Sequence, residues 1–221
     1  MESKSYFKND RHQMLSFLPK KVGKAIEFGC SYGIFSKLVK EKYDCEVWGV
    51  DISQDCVNEA SIHLDKCLLG DALEVIKELP NDYFDCIIAN DFLEHLSDPG
   101  LFLERIKPKL KENATITCSI PNVRYFKTYF KYLIMKDWKY EESGVMDKTH
   151  LRFFTKKSFI RLLESCDFKV ALNRGINPPQ SLKYKAFLLA YNILTLGYNI
   201  DLKYQQYAFT AELNKLDYKK S

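Results

Sequence analysis

Two glycines separate a short apolar run from a segment of helical periodicity near the beginning of the chain. Lys24–Phe28 is the apolar run, Gly29 and Gly33 bracket the bend, and apolar residues return at helical spacing over Ile34–Val39. This order predicts a strand, a tight turn and a helix. Glycine lets the backbone approach a ligand closely, and the first turn of a helix offers unpaired N–H groups. The segment therefore indicates a binding site for a nucleotide-like cofactor.

Two carboxylates lie at the ends of neighbouring apolar runs. Asp51 follows the run Val47–Val50, and Glu27 lies next to the last residue of the first run. A carboxylate at the tip of a second parallel strand can accept hydrogen bonds from both hydroxyls of a ribose. A buried carboxylate costs free energy unless it is paired or hydrogen-bonded. We therefore predict that Glu27 also has a role in cofactor binding.

Apolar runs alternate with helix-like segments over most of the chain. The first five runs are Lys24–Phe28, Glu46–Val50, Lys66–Leu69, Phe84–Ala89 and Ala114–Ile120. This alternation predicts an α/β fold with a doubly wound, Rossmann-like parallel sheet. Later elements bring the sheet to about seven strands: a helix over Lys156–Ser165, a strand over Phe168–Asn173, a helix over Leu182–Leu196 and a strand over Tyr207–Leu213. We expect a single domain over residues 1–221, beginning with a helical segment over residues 1–22.

The connection after the fifth predicted strand, residues 121–154, is too long for an ordinary loop of such a sheet. In its first half, Phe126, Phe130, Leu133 and Ile134 fall on one face of a predicted helix. We expect this insertion to form a helical lid over the site.

The composition excludes several classes of protein. The chain has 221 residues, 46% of them hydrophobic, and a net charge of +4, which is too small to indicate nucleic-acid binding by itself. Seven cysteines without a CxxC pair predict reduced thiols in a cytoplasmic protein, and no metal site is predicted. The longest apolar stretch, Ala186–Leu196, is shorter than the roughly 20 residues of a membrane span.

Four segments lie in the order and at the spacing of a known set of motifs. They are Glu27–Gly33, Val50–Ser53, Gly70–Ala72 and Phe84–Leu96. Together they resemble the cofactor-site motifs of the class I S-adenosylmethionine-dependent methyltransferases. The chain departs from this family at Ser31, where glycine is common. The resemblance implies S-adenosylmethionine as cofactor and S-adenosylhomocysteine as product, bound by Glu27, Gly29, Ser31, Gly33, Asp51, Ile52, Asp71, Ala72 and Asn90.

Methyl transfer to an alcohol also requires a base. His95, after the fourth strand, and His150, in the lid, are the candidates, because imidazole is mostly neutral at cellular pH. Arg152 offers a planar fork for an anionic acceptor, and Tyr125 and Tyr129 offer aromatic faces for an acceptor pocket.

Each of these assignments has a structural alternative. The histidines can anchor the lid through hydrogen bonds, and the tyrosines can pack a helix. Arg152 can instead form a salt bridge to one of three acidic residues, namely Glu141, Glu142 or Asp147.

A lid segment bears on the acceptor. Asp147–Thr155 resembles a signature of a methyltransferase subgroup associated with bacterial surface-polysaccharide and other small-molecule methylation. The expected acceptor is oxygen, with nitrogen as second option, of a small sugar-like or anionic metabolite such as a nucleotide-sugar or phosphorylated metabolite. The alternatives are a nucleic-acid or protein methyltransferase and a non-catalytic binding module. A nicotinamide dehydrogenase is disfavoured, because the fingerprint G-x-G-x-x-G beginning at Gly29 needs glycine where Ser31 and Ile34 stand.

Overall fold

The computed structural model describes residues 11–213 and contains a sheet of seven strands flanked by helices. The strands are β1 (Lys24–Phe28), β2 (Glu46–Asp51), β3 (Lys66–Leu69), β4 (Phe84–Asn90), β5 (Leu110–Pro121), β6 (Phe168–Ile176) and β7 (Gln206–Leu213). The helices are α1 (Ile34–Tyr43), α2 (Gln54–Ala60), α3 (Ala72–Glu78), α4 (Pro99–Ile106), α5 (Phe126–Met135), α6 (Lys156–Ser165) and α7 (Leu182–Leu194). The predicted seven-stranded α/β fold is confirmed.

Strand direction divides the sheet into two parts. Its order is β3-β2-β1-β4-β5-β7-β6, and the neighbours from β3 to β5 are parallel. β7 is antiparallel to both β5 and β6, so the parallel sheet predicted from the first five apolar runs is extended by two strands into a mixed sheet. The strand order reverses between β1 and β4, and in open α/β sheets ligands bind in the crevice at such a reversal.

Apolar side chains fill both faces of the sheet. On one face, Phe28, Phe102 and Phe159 lie among side chains from α3, α4 and α6, and all three are fully buried. On the other face, a short 3₁₀ helix over His12–Phe17 contributes the buried Met14 to a cluster that includes Phe35 and Val39 of α1. Burying a side chain of this size contributes about 1.5–3 kcal/mol. All seven cysteines are free, and all but the half-buried Cys67 are buried.

The insertion after β5 consists of α5 and an irregular segment over residues 136–155. α5 packs on α7 through Phe130, whose ring centroid lies 5.4 Å from that of Phe187. The predicted apolar face of α5 is only partly covered, since Leu133 is 48% exposed and Ile134 is 74% exposed. Helix α5 therefore packs against α7. The irregular segment is the part of the insertion that reaches the carboxyl edge of the sheet.

The predicted N-terminal helical segment falls partly on residues 1–10, which lie outside the described part of the chain. From residue 11 onward this segment contains the 3₁₀ helix His12–Phe17 and no α-helix. None of the helices within residues 11–213 has the length and hydropathy that crossing a membrane requires.

Candidate active site

A cavity of about 850 Å³ opens at the carboxyl edge of the sheet, beside the ends of β1 and β4. This volume lies within the range of small-molecule binding sites. Most of the predicted site residues line it, namely Glu27, Gly29, Ser31, Asp51, Ile52, Asp71, Ala72, Asn90 and His95. The other predicted residues do not belong to the lining, and these are Gly33, Tyr125, Tyr129, His150 and Arg152.

Asp51 holds the turn that follows β1. Gly29, Ser31 and Gly33 have positive φ angles of 68°, 51° and 71°. The Ser31 N–H donates to Asp51 Oδ2 at 2.8 Å, and the Ser53 N–H donates to Asp51 Oδ1 at 2.9 Å. Ser31 adopts a conformation that favours glycine, and a charge-assisted hydrogen bond offsets that cost. Asp51 therefore supports the turn as well as facing the cavity.

Glu27 is the buried carboxylate of the cavity. Its side chain is 3% exposed, and its Oε2 accepts a hydrogen bond from the Ser36 hydroxyl at 2.6 Å. Burial raises the pKa of Glu27 to about 7, although Ser36 and the charge of Arg11 act in the opposite direction. A cation bound beside this carboxylate favours its ionised form, so the site suits an ammonium group.

Several buried polar atoms of the cavity wall have no protein partner. Among the described residues, the Asn90 amide nitrogen and oxygen and the Ser31 hydroxyl make no hydrogen bond. Buried polar groups in folded proteins are nearly always hydrogen-bonded. A polar ligand in the cavity satisfies these groups, which fits the cofactor implied by the sequence motifs.

Asp91 joins several elements around the cavity. It follows β4 with a φ of 48°, and its Oδ1 accepts a hydrogen bond from Ser119 at 2.8 Å. Its Oδ2 accepts from Gln206 at 2.6 Å and lies 2.8 Å from Arg11 Nη1. The sequence analysis did not identify Arg11 as a site residue, because its partner comes close only in the folded chain.

Glu94, His95 and His150 lie close together where the insertion after β5 contacts the segment that follows β4. The ring centroids of His95 and His150 are 4.9 Å apart. Nδ1 of His95 lies 3.2 Å from the Thr149 carbonyl oxygen, and Nδ1 of His150 lies 3.1 Å from the Val145 carbonyl oxygen. A carbonyl oxygen can only accept, so each Nδ1 carries a hydrogen, and a neutral ring with this hydrogen bond has its lone pair on Nε2. Burial and the neighbouring His150 lower the pKa of His95, which keeps this ring neutral at pH 7.

Comparison with known proteins identifies the family. The sequence model described as a methyltransferase domain matches residues 3–173, which is most of the chain. The chain belongs to the methyltransferase family. This membership confirms the predicted class of enzyme, with S-adenosylmethionine as its cofactor.

Curated relatives of this methyltransferase include proteins named ubiquinone biosynthesis O-methyltransferase. The protein from Bradyrhizobium diazoefficiens is 30% identical over 109 residues, which are 48% of this chain and 42% of that protein. The chain thus spans less than half of that relative. The protein from Idiomarina loihiensis is 24% identical over 189 residues, 81% of this chain and 74% of that protein. A solved structure of a SAM dependent methyltransferase from Archaeoglobus fulgidus has a TM-score of 0.69 at 21% identity and covers 91% of this chain and 90% of that one, which shows a shared fold.

The predicted acceptor contacts of the methyltransferase lie away from the cavity. Tyr125 is buried in an apolar cluster that includes α7, and Tyr129 packs against that cluster. Arg152 donates from Nε to the Ser97 carbonyl oxygen at 2.9 Å. Gly33, which was assigned to the cofactor, instead lies against Ala60 of α2. A Cβ at position 33 would come within 3.1 Å of Ala60. Apolar packing and anchoring of the lid therefore explain positions that the sequence analysis assigned to ligand contact.

The lid adds polar residues to the methyltransferase cavity that the sequence analysis did not assign to it. The lining residues from this segment are Glu142, Ser143, Asp147, Lys148 and Thr149. Lys148 Nζ lies 2.5 Å from a Glu142 carboxylate oxygen. Asp147, Lys148 and Thr149 belong to the segment that resembles the subgroup signature, whereas Glu142 and Ser143 had only their position within the long insertion as a signal.

Proposed function

We propose that this methyltransferase transfers the methyl group of S-adenosylmethionine to a hydroxyl oxygen of a small metabolite bound against His95 and His150. The observation that carries the proposal is the pair of rings with available Nε2 lone pairs, one of them lining the cofactor cavity. The names of the curated relatives support oxygen over nitrogen as the acceptor.

The cofactor contacts follow from the side chains along the cavity. We assign Asp51 to the ribose hydroxyls, Glu27 to the ammonium group, and the Asp71–Ala72 segment to the adenine. Support comes from the position of each at the carboxyl edge of the sheet and from the unpartnered Asn90 amide at the end of β4, which lines the same cavity. S-adenosylmethionine, when bound, supplies an activated methyl group.

The remaining tasks belong to the chain, namely alignment of the acceptor and removal of its proton. Alignment of reactants lowers a barrier by roughly 7–11 kcal/mol compared with an encounter in solution. A positioned base adds roughly 10²–10⁴-fold. His95 Nε2 is the proposed proton acceptor, and the lid, anchored by Arg152, covers the acceptor. The ring of His150 lies beside that of His95 and is proposed to orient the proton of the acceptor hydroxyl.

The acceptor is proposed to be sugar-like and uncharged. The similarity of the lid segment to the surface-polysaccharide subgroup supports a sugar-like molecule, within surface-glycan or related biosynthesis. The charge of the cavity disfavours phosphate, because Glu142 and Asp147 line it and its two basic residues, Arg11 and Lys148, are ion-paired. This lining gives no support to the expected anionic acceptor or to nucleic acid.

We also propose that the chain acts as one domain in a reducing compartment such as the cytoplasm. The seven free cysteines support the compartment. The continuous sheet, which the insertion after β5 does not interrupt, supports the single domain.

Calorimetry with S-adenosylhomocysteine and a methyl-transfer assay on a panel of neutral sugars and phenols test the division of labour. Asp51→Ala is expected to weaken cofactor affinity at least about tenfold, because it removes charge-assisted hydrogen bonds. His95→Asn is expected to leave that affinity unchanged and to slow transfer by about 10²–10⁴-fold. His63→Asn, a change in the turn after α2 at a residue that does not line the cavity, is the control. Equal loss of cofactor affinity in the Asp51 and His95 variants would contradict the assignment.

A further inference from the structure

The geometry points to a metal site formed by Glu94, His95 and His150, which takes a divalent first-row transition metal such as Zn²⁺. It rests on the proposed function, because the bound metal meets the acceptor oxygen of the same methyl-transfer reaction. Nothing in the sequence motifs indicates it, since the ligands come from two segments far apart in the chain.

The three side chains already lie close together. One carboxylate oxygen of Glu94 and one nitrogen from each ring lie within 4.8 Å of one another, and within residues 11–213 no other cluster of this kind occurs. Zn²⁺ binds nitrogen and oxygen ligands at about 2.0–2.2 Å, so small side-chain rotations bring the three atoms onto one ion. Two imidazoles and one carboxylate form a ligand set of catalytic zinc and non-haem iron sites.

The hydrogen bonds of both rings prepare them as ligands. Nδ1 of His95 and Nδ1 of His150 donate to the backbone carbonyls of Thr149 and Val145. Metal-binding histidines almost always donate their other ring N–H to such an acceptor, which fixes the ring and makes the ligating nitrogen more basic. Both Nε2 lone pairs are therefore available without a change of tautomer.

Glu94 supplies the independent observation. Glu94 is 1% exposed, and neither of its carboxylate oxygens has a hydrogen-bond partner among the described residues. Its backbone carbonyl accepts hydrogen bonds from the N–H groups of Leu151 and Arg152, at 2.9 and 3.0 Å, so the lid holds this residue in place. A buried, unpartnered carboxylate is costly. A bound cation supplies the missing partner.

Three protein ligands leave a fourth position on the metal open. His95 lines the cavity, so the open position lies on the acceptor side. An acceptor hydroxyl bound there becomes more acidic and releases its proton to solvent. Its oxygen then forms the new O–CH₃ bond, and the electron pair of the broken S–CH₃ bond remains on sulfur. With metal on both rings, neither Nε2 takes the proton, so the metal replaces the histidine base of the proposed function, while the transfer of methyl from sulfur to oxygen is the same.

Metal binding to the full chain is the direct test. Protein freed of metal with a chelator is titrated with Zn²⁺ by calorimetry and with Co²⁺ by visible absorption. We expect one equivalent to bind, and Glu94→Gln and His150→Asn to weaken binding by at least about 100-fold, beyond the 10–100-fold typical of outer-shell changes. His63→Asn, which removes a histidine outside the cluster, is expected to bind as the unchanged protein does.

The same samples separate this inference from the proposed function. Absence of binding, or binding that the cluster variants do not weaken, overturns the metal site. If S-adenosylhomocysteine still binds in that case, the methyltransferase assignment stands with a histidine base. If metal binds and S-adenosylhomocysteine does not, the proposed function falls. His95→Asn, a change at a half-buried position, decides the matter if the buried variants do not fold, as judged by circular dichroism.

Discussion

Replacing Glu27 with glutamine is expected to stabilise the cofactor-free protein at pH 8. The pKa of the buried carboxyl is about 7 in the folded chain, against an ordinary value of 4.5. The folded state therefore binds this proton more tightly than the unfolded state, and the contribution of Glu27 to stability is lost as pH rises from 4.5 through 7. The difference, 7 minus 4.5 or about 2.5 pH units, corresponds to about 3 kcal/mol at 1.36 kcal/mol per unit.

Glutamine isolates the charge from the contact. Its amide oxygen can accept the hydrogen bond that the Ser36 hydroxyl donates to Glu27 at 2.6 Å, and it is neutral at every pH. Urea unfolding at pH 4.5, 6 and 8 measures the effect. The free energies of unfolding of the two proteins are expected to be similar at pH 4.5, and the variant to be more stable by up to about 3 kcal/mol at pH 8. Glu59→Gln, an exposed change on α2, is the control. A variant no more stable than the unchanged protein at pH 8 would refute the reasoning.

The same substitution has the opposite effect on the cofactor. An ionised Glu27 favours an ammonium group, so Glu27→Gln is expected to weaken the binding of S-adenosylhomocysteine. In the unchanged protein this affinity is expected to fall by up to about tenfold per pH unit below pH 7, because protonation removes the partner charge. Calorimetry at pH 5 to 7 measures both trends. Affinity that does not change with pH in the unchanged protein would contradict the role of Glu27.

Two further substitutions and one labelling experiment test the fold. Gly33→Ala places a Cβ at a φ of 71° and 3.1 Å from Ala60, and is expected to cost about 1–3 kcal/mol in urea unfolding; an unchanged midpoint would contradict the strain. Phe102→Ala removes a fully buried ring and is expected to cost about 3–5 kcal/mol, seen as a lower Tm. Burial raises the pKa of buried thiols such as Cys86, to about 12, so an aromatic disulfide reagent is expected to label them only as fast as the protein unfolds. Rapid labelling of more than the half-buried Cys67 would count against this packing.

The sequence predicted the elements whose pattern is local. The bounds of β1 and β3 agree with the structure, because each is a short run between turn signals. The direction of β7 was not predictable in the same way, since the antiparallel pairing with β5 depends on the path of the whole chain. The exposure of Leu133 and Ile134 on α5 was also out of reach, because periodicity shows which residues share a face and not what covers it.

The site residues also differ in whether local sequence could predict them. The positions of Glu27 and Asp51 followed from strand ends, which meet at one edge in any parallel sheet. Glu94 gave no signal, because its significance depends on His150, which the lid brings beside it from a distant part of the sequence. Arg11 likewise could not be identified from the sequence, because its role depends on its ion pair with Asp91.

The position of β7 has a consequence for the newly made chain. β7 lies between β5 and β6, and it is the neighbour through which β6 joins the sheet. Because β6 precedes β7 in sequence, a ribosome delivers β6 before the strand on which it pairs. Until β7 emerges, β5 and β6 both present unpaired edges, and such edges are prone to pair with other chains. Nascent chains that stop short of β7 are therefore expected to be the most aggregation-prone intermediates of synthesis.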